Sequence, residues 1–183
     1  MSEINIITNC APTLAGLKTG NIFNVEIGKG ENINATINYF NSIFEPKGLK
    51  LILLRIKNNV AMLYLYRKKQ LANDLKQDGV QNYLKKMNYP VCSSIDCIEC
   101  LKHRLNALND FPHEIGLFIG YPLEDVVGFS TLGANASKYC GAWRVYGDVD
   151  VAKKRFALYK KCRSVYVNVY KKQNNFNKLI VNK

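Results

Sequence analysis

Apolar residues recur along this chain at two spacings, and the switches between them mark out its elements. Ile33, Ile37, Phe40 and Phe44 keep the spacing of a helix with one buried face, and Pro46-Lys47-Gly48 ends it. Leu51 to Ile56 and Val60 to Tyr66 are two extended apolar runs joined at Asn58-Asn59, residues that tolerate the positive φ of a tight hairpin. Ahead of them, Ala11 to Leu17 reads as a short helix and Ile22 to Ile27 as an extended segment turning at Gly28 to Gly30. Leu71 and Leu75 begin another helical pattern, which Asp78-Gly79 interrupts before Val80, Tyr83, Leu84 and Met87.

In the second half, Ser93 or Ser94 caps a helix whose core stripe is Ile95, Ile98, Leu101, Leu105 and Leu108. Ile115, Leu117, Phe118 and Ile119 form a nearly continuous apolar run, which predicts a strand covered on both faces. Gly120-Tyr121-Pro122 breaks it. Pro122 then opens a helix with Glu124 and Asp125 in its first turn, where carboxylates favour the positive end of the dipole, and Gly128 is the expected stop. A polar loop through Gly133-Ala134-Asn135 leads to a strand from Ala142 to Tyr146. Asp148 caps a long helix with Ala152, Phe156, Tyr159, Arg163, Tyr166 and Tyr170 on one stripe. There is no internal repeat. The pattern predicts an α+β fold, with a small mixed sheet of about four to five strands, including the early hairpin, covered by helices. One domain is expected over residues 1–172, with a polar tail at 173–183 that frays.

Composition narrows the class. A chain of 183 residues can bury a core as one domain, and 48% hydrophobic with 22% charged residues excludes a disordered protein. The start, Met1-Ser2-Glu3-Ile4-Asn5-Ile6-Ile7, lacks the pattern of a signal peptide, and no segment approaches the roughly 20 apolar residues that cross a bilayer. A cytoplasmic protein with no membrane partner and reduced cysteines is expected. The net charge is +12, but Val151 to Lys183 holds ten Lys or Arg and no Asp or Glu, which leaves only +2 for the rest.

Three runs together carry a family resemblance. They are Cys10-Ala11-Pro12-Thr13-Leu14-Ala15-Gly16-Leu17-Lys18, the stretch HEIGLFIGYPLEDVVGF from His113 to Phe129, and Gly141-Ala142-Trp143-Arg144-Val145-Tyr146-Gly147-Asp148 with its following helix. In this order the chain, over roughly residues 9 to 170, resembles the bacterial domain of unknown function 3793 family. The resemblance implies a bacterial source, mainly anaerobic low-GC species, and brings no activity, cofactor or catalytic residue with it. Cys92, Cys97 and Cys100 stand outside the family pattern.

Three constellations carry possible chemistry. Cys92-x4-Cys97-x2-Cys100 has part of a plant-type ferredoxin spacing, with Cys140 or Cys162 as a fourth thiolate. Cys97 and Cys100, however, fall in a helix that points them roughly 60° apart, so no metal ligand is assigned. Lys153, Lys154, Lys160 and Lys161 lie on the long helix away from its core stripe. They are the nucleic-acid candidates, expected to bind weakly through phosphates because no aromatic residues interleave them.

The third constellation supplies the leading expectation. His113 is a candidate general base, Glu114 an orienting group or acid, and Cys10 a nucleophile if its thiol were acidified. Arg144 and Tyr146 alternate along a strand and so share a face, where with Tyr121 they are the ligand-binding candidates. The alternative is that these groups only satisfy buried polar partners. The expected function is binding of a small anionic ligand or a protein partner around His113 and Arg144. Whether catalysis follows, and with what cofactor, is left open. A regulatory or nucleic-acid-binding module using the basic helix comes second, and a cysteine-ligated metal protein third.

Overall fold

The computed structural model describes residues 1–107 and 111–182. The chain divides into two units, one of Met1–Lys69 with Tyr159–Lys183 and one of Gln70–Leu158. The fold is α+β.

In the first unit, α1 (Glu3–Leu14), β1 (Gly20–Glu26), α2 (Ile33–Phe44), β2 (Leu49–Lys57) and β3 (Val60–Arg67) follow one another. The strands form an antiparallel sheet in the order β1-β3-β2, with Ile22 opposite Tyr64 and Leu51 opposite Leu65. The Asn58-Asn59 turn has φ of 50° and 61°, both left-handed, as the tight hairpin requires. Asn32 caps α2 through Asn34 and Ala35, and Gly48, at φ 77°, releases the chain after a short 3₁₀ turn, Glu45–Lys47. Ile6, Ile7, Cys10 and Leu14 keep helical spacing and are fully buried with Phe40, Phe44, Leu51 and Leu63.

Two segments of this unit differ from expectation. α1 begins eight residues before Ala11, because Ile6 and Ile7 continue the stripe of Cys10 and Leu14. It ends at Leu14, and beyond it Gly16, at φ 72°, closes the turn, with Gly16 N–H reaching Thr13 O (3.1 Å) and Leu17 N–H reaching Pro12 O (2.8 Å). The tail also fails to fray. After α8 (Val149–Gln173), Asn174 turns at φ 46°, and Phe176, Leu179 and Ile180 are buried beside Phe40 and Phe44. Asn and Lys dominate the tail's composition, but its three apolar residues decide where it packs.

The second unit contains α3 (Lys68–Leu75) from Gln70 onward, α4 (Asp78–Lys86), α5 (Ser94–Ala107), α6 (Ile115–Phe118), α7 (Leu123–Leu132) and α8 as far as Leu158. Its described strands are β4 (Tyr139–Cys140) and β5 (Arg144–Val145), paired antiparallel. Among the described residues there are therefore five strands, but as three plus two, and every described pairing is antiparallel rather than mixed. Ser93 Oγ accepts from Asp96 N–H at the start of α5, whose Ile98, Leu101 and Leu105 are buried, while Ile95 stays 67% exposed. Leu108, expected on the same stripe, lies outside the described residues.

Two local predictions are corrected here. Ile115 to Phe118 is a single helical turn, not a strand, and Ile119 is only partly buried. A run with no polar position has no period, and burial on all sides suits one turn of helix as well as a strand. Gly128 does not stop α7; it lies inside the helix, where a side chain would collide with the ring of Tyr146. The helix ends at Leu132, before Gly133 at φ 73°.

Candidate functional site

Pro122 caps α7 with an extended ψ of 140°, and the helix that follows turns Asp125 inward rather than toward solvent. Asp125 is 3% exposed, and its carboxylate accepts from three N–H groups. Trp143 Nε1 reaches Oδ2 at 2.6 Å, while Tyr146 N and Gly147 N reach Oδ1 at 2.7 and 2.9 Å. One side chain thereby fastens the segment from Trp143 to Gly147 onto α7. The absent side chain of Gly128 leaves room for the Tyr146 ring, whose hydroxyl donates to Gly133 O at 2.6 Å.

Trp143 is held by aromatic contacts as well. Tyr121 stacks on it at 4.6 Å between centroids, and Phe156 meets it edge-on at 4.4 Å. Tyr121 also donates its hydroxyl to Ala142 O at 3.3 Å. Its approach depends on Gly116, where an added Cβ would lie 2.8 Å from Val126 and 3.1 Å from Tyr121. Beside this cluster is a cavity of about 200 Å³, walled by Ile115, Val126, Phe129 and Trp143, with His113 and Arg144 at exposed positions on its lining. The His113 ring stands edge-on to Phe129 at 4.8 Å. Among the described residues, no hydrogen bond, ion pair or ring contact engages the Arg144 guanidinium.

His113, Tyr121 and Arg144 thus come together in one lining. Glu114 does not join them. It is 3% exposed, and its Oε1 accepts from Arg104 Nε at 2.7 Å and from Tyr89 hydroxyl at 3.0 Å, which satisfies a buried carboxylate. Burial and the adjacent Glu114 charge push the Tyr89 phenol well above its ordinary range. Tyr146 serves the docking onto α7, and it too lies outside the lining. Cys10 belongs to the first unit, is completely buried, and has its thiol pushed far up by burial, with Lys18 only partly opposing this. A thiol so disfavoured as thiolate is a small core residue and lacks the acidification a nucleophile needs.

Asp125, Trp143, Val126 and Phe129 were not singled out from sequence as site residues. The usable signal was Trp143, the chain's one tryptophan, directly before Arg144. By sequence Asp125 is a helix-dipole group, and nothing local tells it from Glu124, which is exposed.

All six cysteines are free thiols, and among the described residues no group of three or more His, Cys, Asp or Glu is placed to hold a metal ion. Burial, then the neighbouring Cys100, Asp96 and Cys92, pushes Cys97 up to about 11. Lys153 and Lys154 of the second unit are exposed, and Lys153 stands 5.0 Å over the Tyr139 ring. Lys160 and Lys161 of the first unit are exposed as well. Among the described residues, no helix is long and apolar enough to cross a membrane.

The family described as protein of unknown function (DUF3793) matches residues 6–180, nearly the whole chain. No functionally curated protein and no solved structure matches it. The chain belongs to the DUF3793 family.

Proposed function

We propose that this DUF3793 protein binds a small anionic molecule in the cavity of its second unit, with Arg144 pairing the anion and His113 offering a hydrogen bond beside it. The observation that carries this reading is the Arg144 guanidinium, which has no partner among the described residues and stands on the lining of a largely apolar cavity. Guanidinium presents a planar fork of donors suited to an oxyanion. Asp125, the other charged group on the lining, is already committed to three N–H donors and leaves Arg144 to the ligand.

A ligand-observed NMR screen of small acids and their neutral analogues tests the proposal. Acids should bind to the wild type and lose binding in Arg144→Gln and His113→Gln. Both residues are exposed, so each variant should keep its stability within about 0.5 kcal/mol. If both variants melt early and bind normally per folded molecule, the two side chains belong to the scaffold and the proposal fails.

A further inference from the structure

We infer that the ligand of this cavity is a one-ring aromatic monocarboxylate. This rests on the anion-binding reading above and gives it a chemical class. Size sets the first bound. A dry, apolar cavity of about 150 Å³ is enough for benzene. The cavity here, about 200 Å³, therefore holds one six-membered ring and little more, with the acid group at the Arg144 side. A nucleotide exceeds it.

Chemistry of the wall sets the second bound. The side chains of Ile115, Val126 and Phe129 offer only carbon, and the polar groups of Trp143 and Tyr121 are already engaged. Trp143 Nε1 donates to Asp125, and Tyr121 hydroxyl donates to Ala142 O. A hydroxyl or ammonium on the ligand's body would lose water there without gaining a full set of partners. The part inside the cavity must be apolar, and the edge of His113 against Phe129 gives it an aromatic wall.

Charge sets the third. Among the described residues, the lining carries one guanidinium, Arg144, and one carboxylate, Asp125, with the His113 imidazole beside them. Asp125 cannot turn away without freeing the N–H groups of Trp143, Tyr146 and Gly147. A monoanion meets Arg144 with its single charge balanced. A dianion brings a second negative charge toward Asp125 with no second Lys or Arg among the described lining residues to offset it. Carboxylate is thus favoured over phosphate.

The single tryptophan is in the cavity wall, so its emission reads the site directly. Titrations under selective tryptophan excitation, with the methyl signals of Val126 as a second probe, would compare phenylacetate, 2-phenylethanol, phenyl phosphate, phenylalanine and acetate. Phenylacetate should saturate with a Kd on the order of 0.1 to 1 mM, as suits so few atoms. It should bind about tenfold tighter than each of the other four. Arg144→Gln should reduce phenylacetate to the level of 2-phenylethanol and leave the alcohol unchanged. Tighter binding of phenyl phosphate or acetate overturns the ring-monocarboxylate assignment, tighter binding of phenylalanine overturns the apolar body argued for it, and each leaves an anion site standing. Equal affinity for phenylacetate and the alcohol, or silence from the whole panel in both probes, overturns the anion reading with it.

Discussion

Trp143 hangs from Asp125: the indole N–H donates to Oδ2 over 2.6 Å, and both residues are more than nine-tenths buried. The other oxygen of the same carboxylate holds Tyr146 and Gly147 by their backbone N–H groups, so one acidic residue orders the whole segment that presents Arg144. The exposed cation of the candidate site is positioned by a carboxylate that does not touch it.

Replacing Asp125 with Ala strands three buried or part-buried donors at once. The expected cost is about 3 kcal/mol or more, since hydrogen bonds to charged groups are strong and orphaned donors lose their hydration. Denaturant titration measures it. Tryptophan emission of the still-folded variant should shift to the red as Trp143 loosens. An Asp125→Ala protein with wild-type stability and emission would show that the segment is held by aromatic packing alone.

Glu114 is expected to matter for folding and not for binding. Glu114→Ala removes the acceptor shared by Arg104 Nε and Tyr89 hydroxyl and should cost about 2 to 3 kcal/mol. Binding of an acid to the folded fraction should be unchanged, because the side chain does not line the cavity. Comparing melting curves with titrations at a temperature where the variant is folded separates the two effects.

Arg67 ties the end of α1 to the C-terminal tail. Its Nε donates to Thr13 O at 2.7 Å, and its Nη2 to Leu14 O and Val181 O at 2.6 and 2.9 Å. Arg67→Met leaves these carbonyls short of donors and should destabilise the first unit by about 3 kcal/mol. Hydrogen exchange at the Val181 amide, which donates to Leu14 O, should speed up. Unchanged exchange there would mean that Phe176, Leu179 and Ile180 hold the tail by themselves.

Lys18 makes stability rise with pH over a narrow window. Lys18 is 8% exposed and its ammonium donates to Asn21 Oδ1 at 2.7 Å; burial pulls it from 10.5 down to about 8, with Cys10 acting the other way. Between those values the unfolded chain holds a proton that the fold does not, so stability increases as pH rises. Below pH 8 both states carry the charge and the penalty of burying it is constant. Cys10 opposes the trend above its ordinary 9.0, because burial raises its thiol and the unfolded thiol ionises first. The clear window is therefore pH 8 to 9, where the wild type should gain about 1 kcal/mol relative to Lys18→Met. Parallel slopes for the two proteins in urea titrations at these pH values would contradict the assignment.

What the chain determines by itself is local. The Asn58-Asn59 hairpin, the Ser-capped start of α5 and the Asp148 cap of α8 each depend on a few adjacent residues, whereas the interruption expected at Asp78-Gly79 falls at Lys76-Gln77 and leaves both residues in the first turn of α4. Backbone preference and side-chain capping act over one turn, so a linear reading finds them. His113, Tyr121 and Arg144, which share one lining, were legible as candidates for a related reason, being polar or amphipathic residues beside apolar runs. The remaining decisions were tertiary. Ile115 to Phe118 lacks any polar position to set a period, and only burial from all sides makes it a helical turn. Gly128 reads as a stop until Tyr146 arrives from 18 residues away to fill its space. Glu114 and Cys10 looked like chemistry, but Arg104 and Tyr89 close over one and the core of the first unit over the other. Asp125 and Trp143, 18 residues apart, become the support of the site only when the chain folds back and pairs them. A side chain's role is set by what it ends up touching, and for a buried polar group that partner is seldom next to it in sequence.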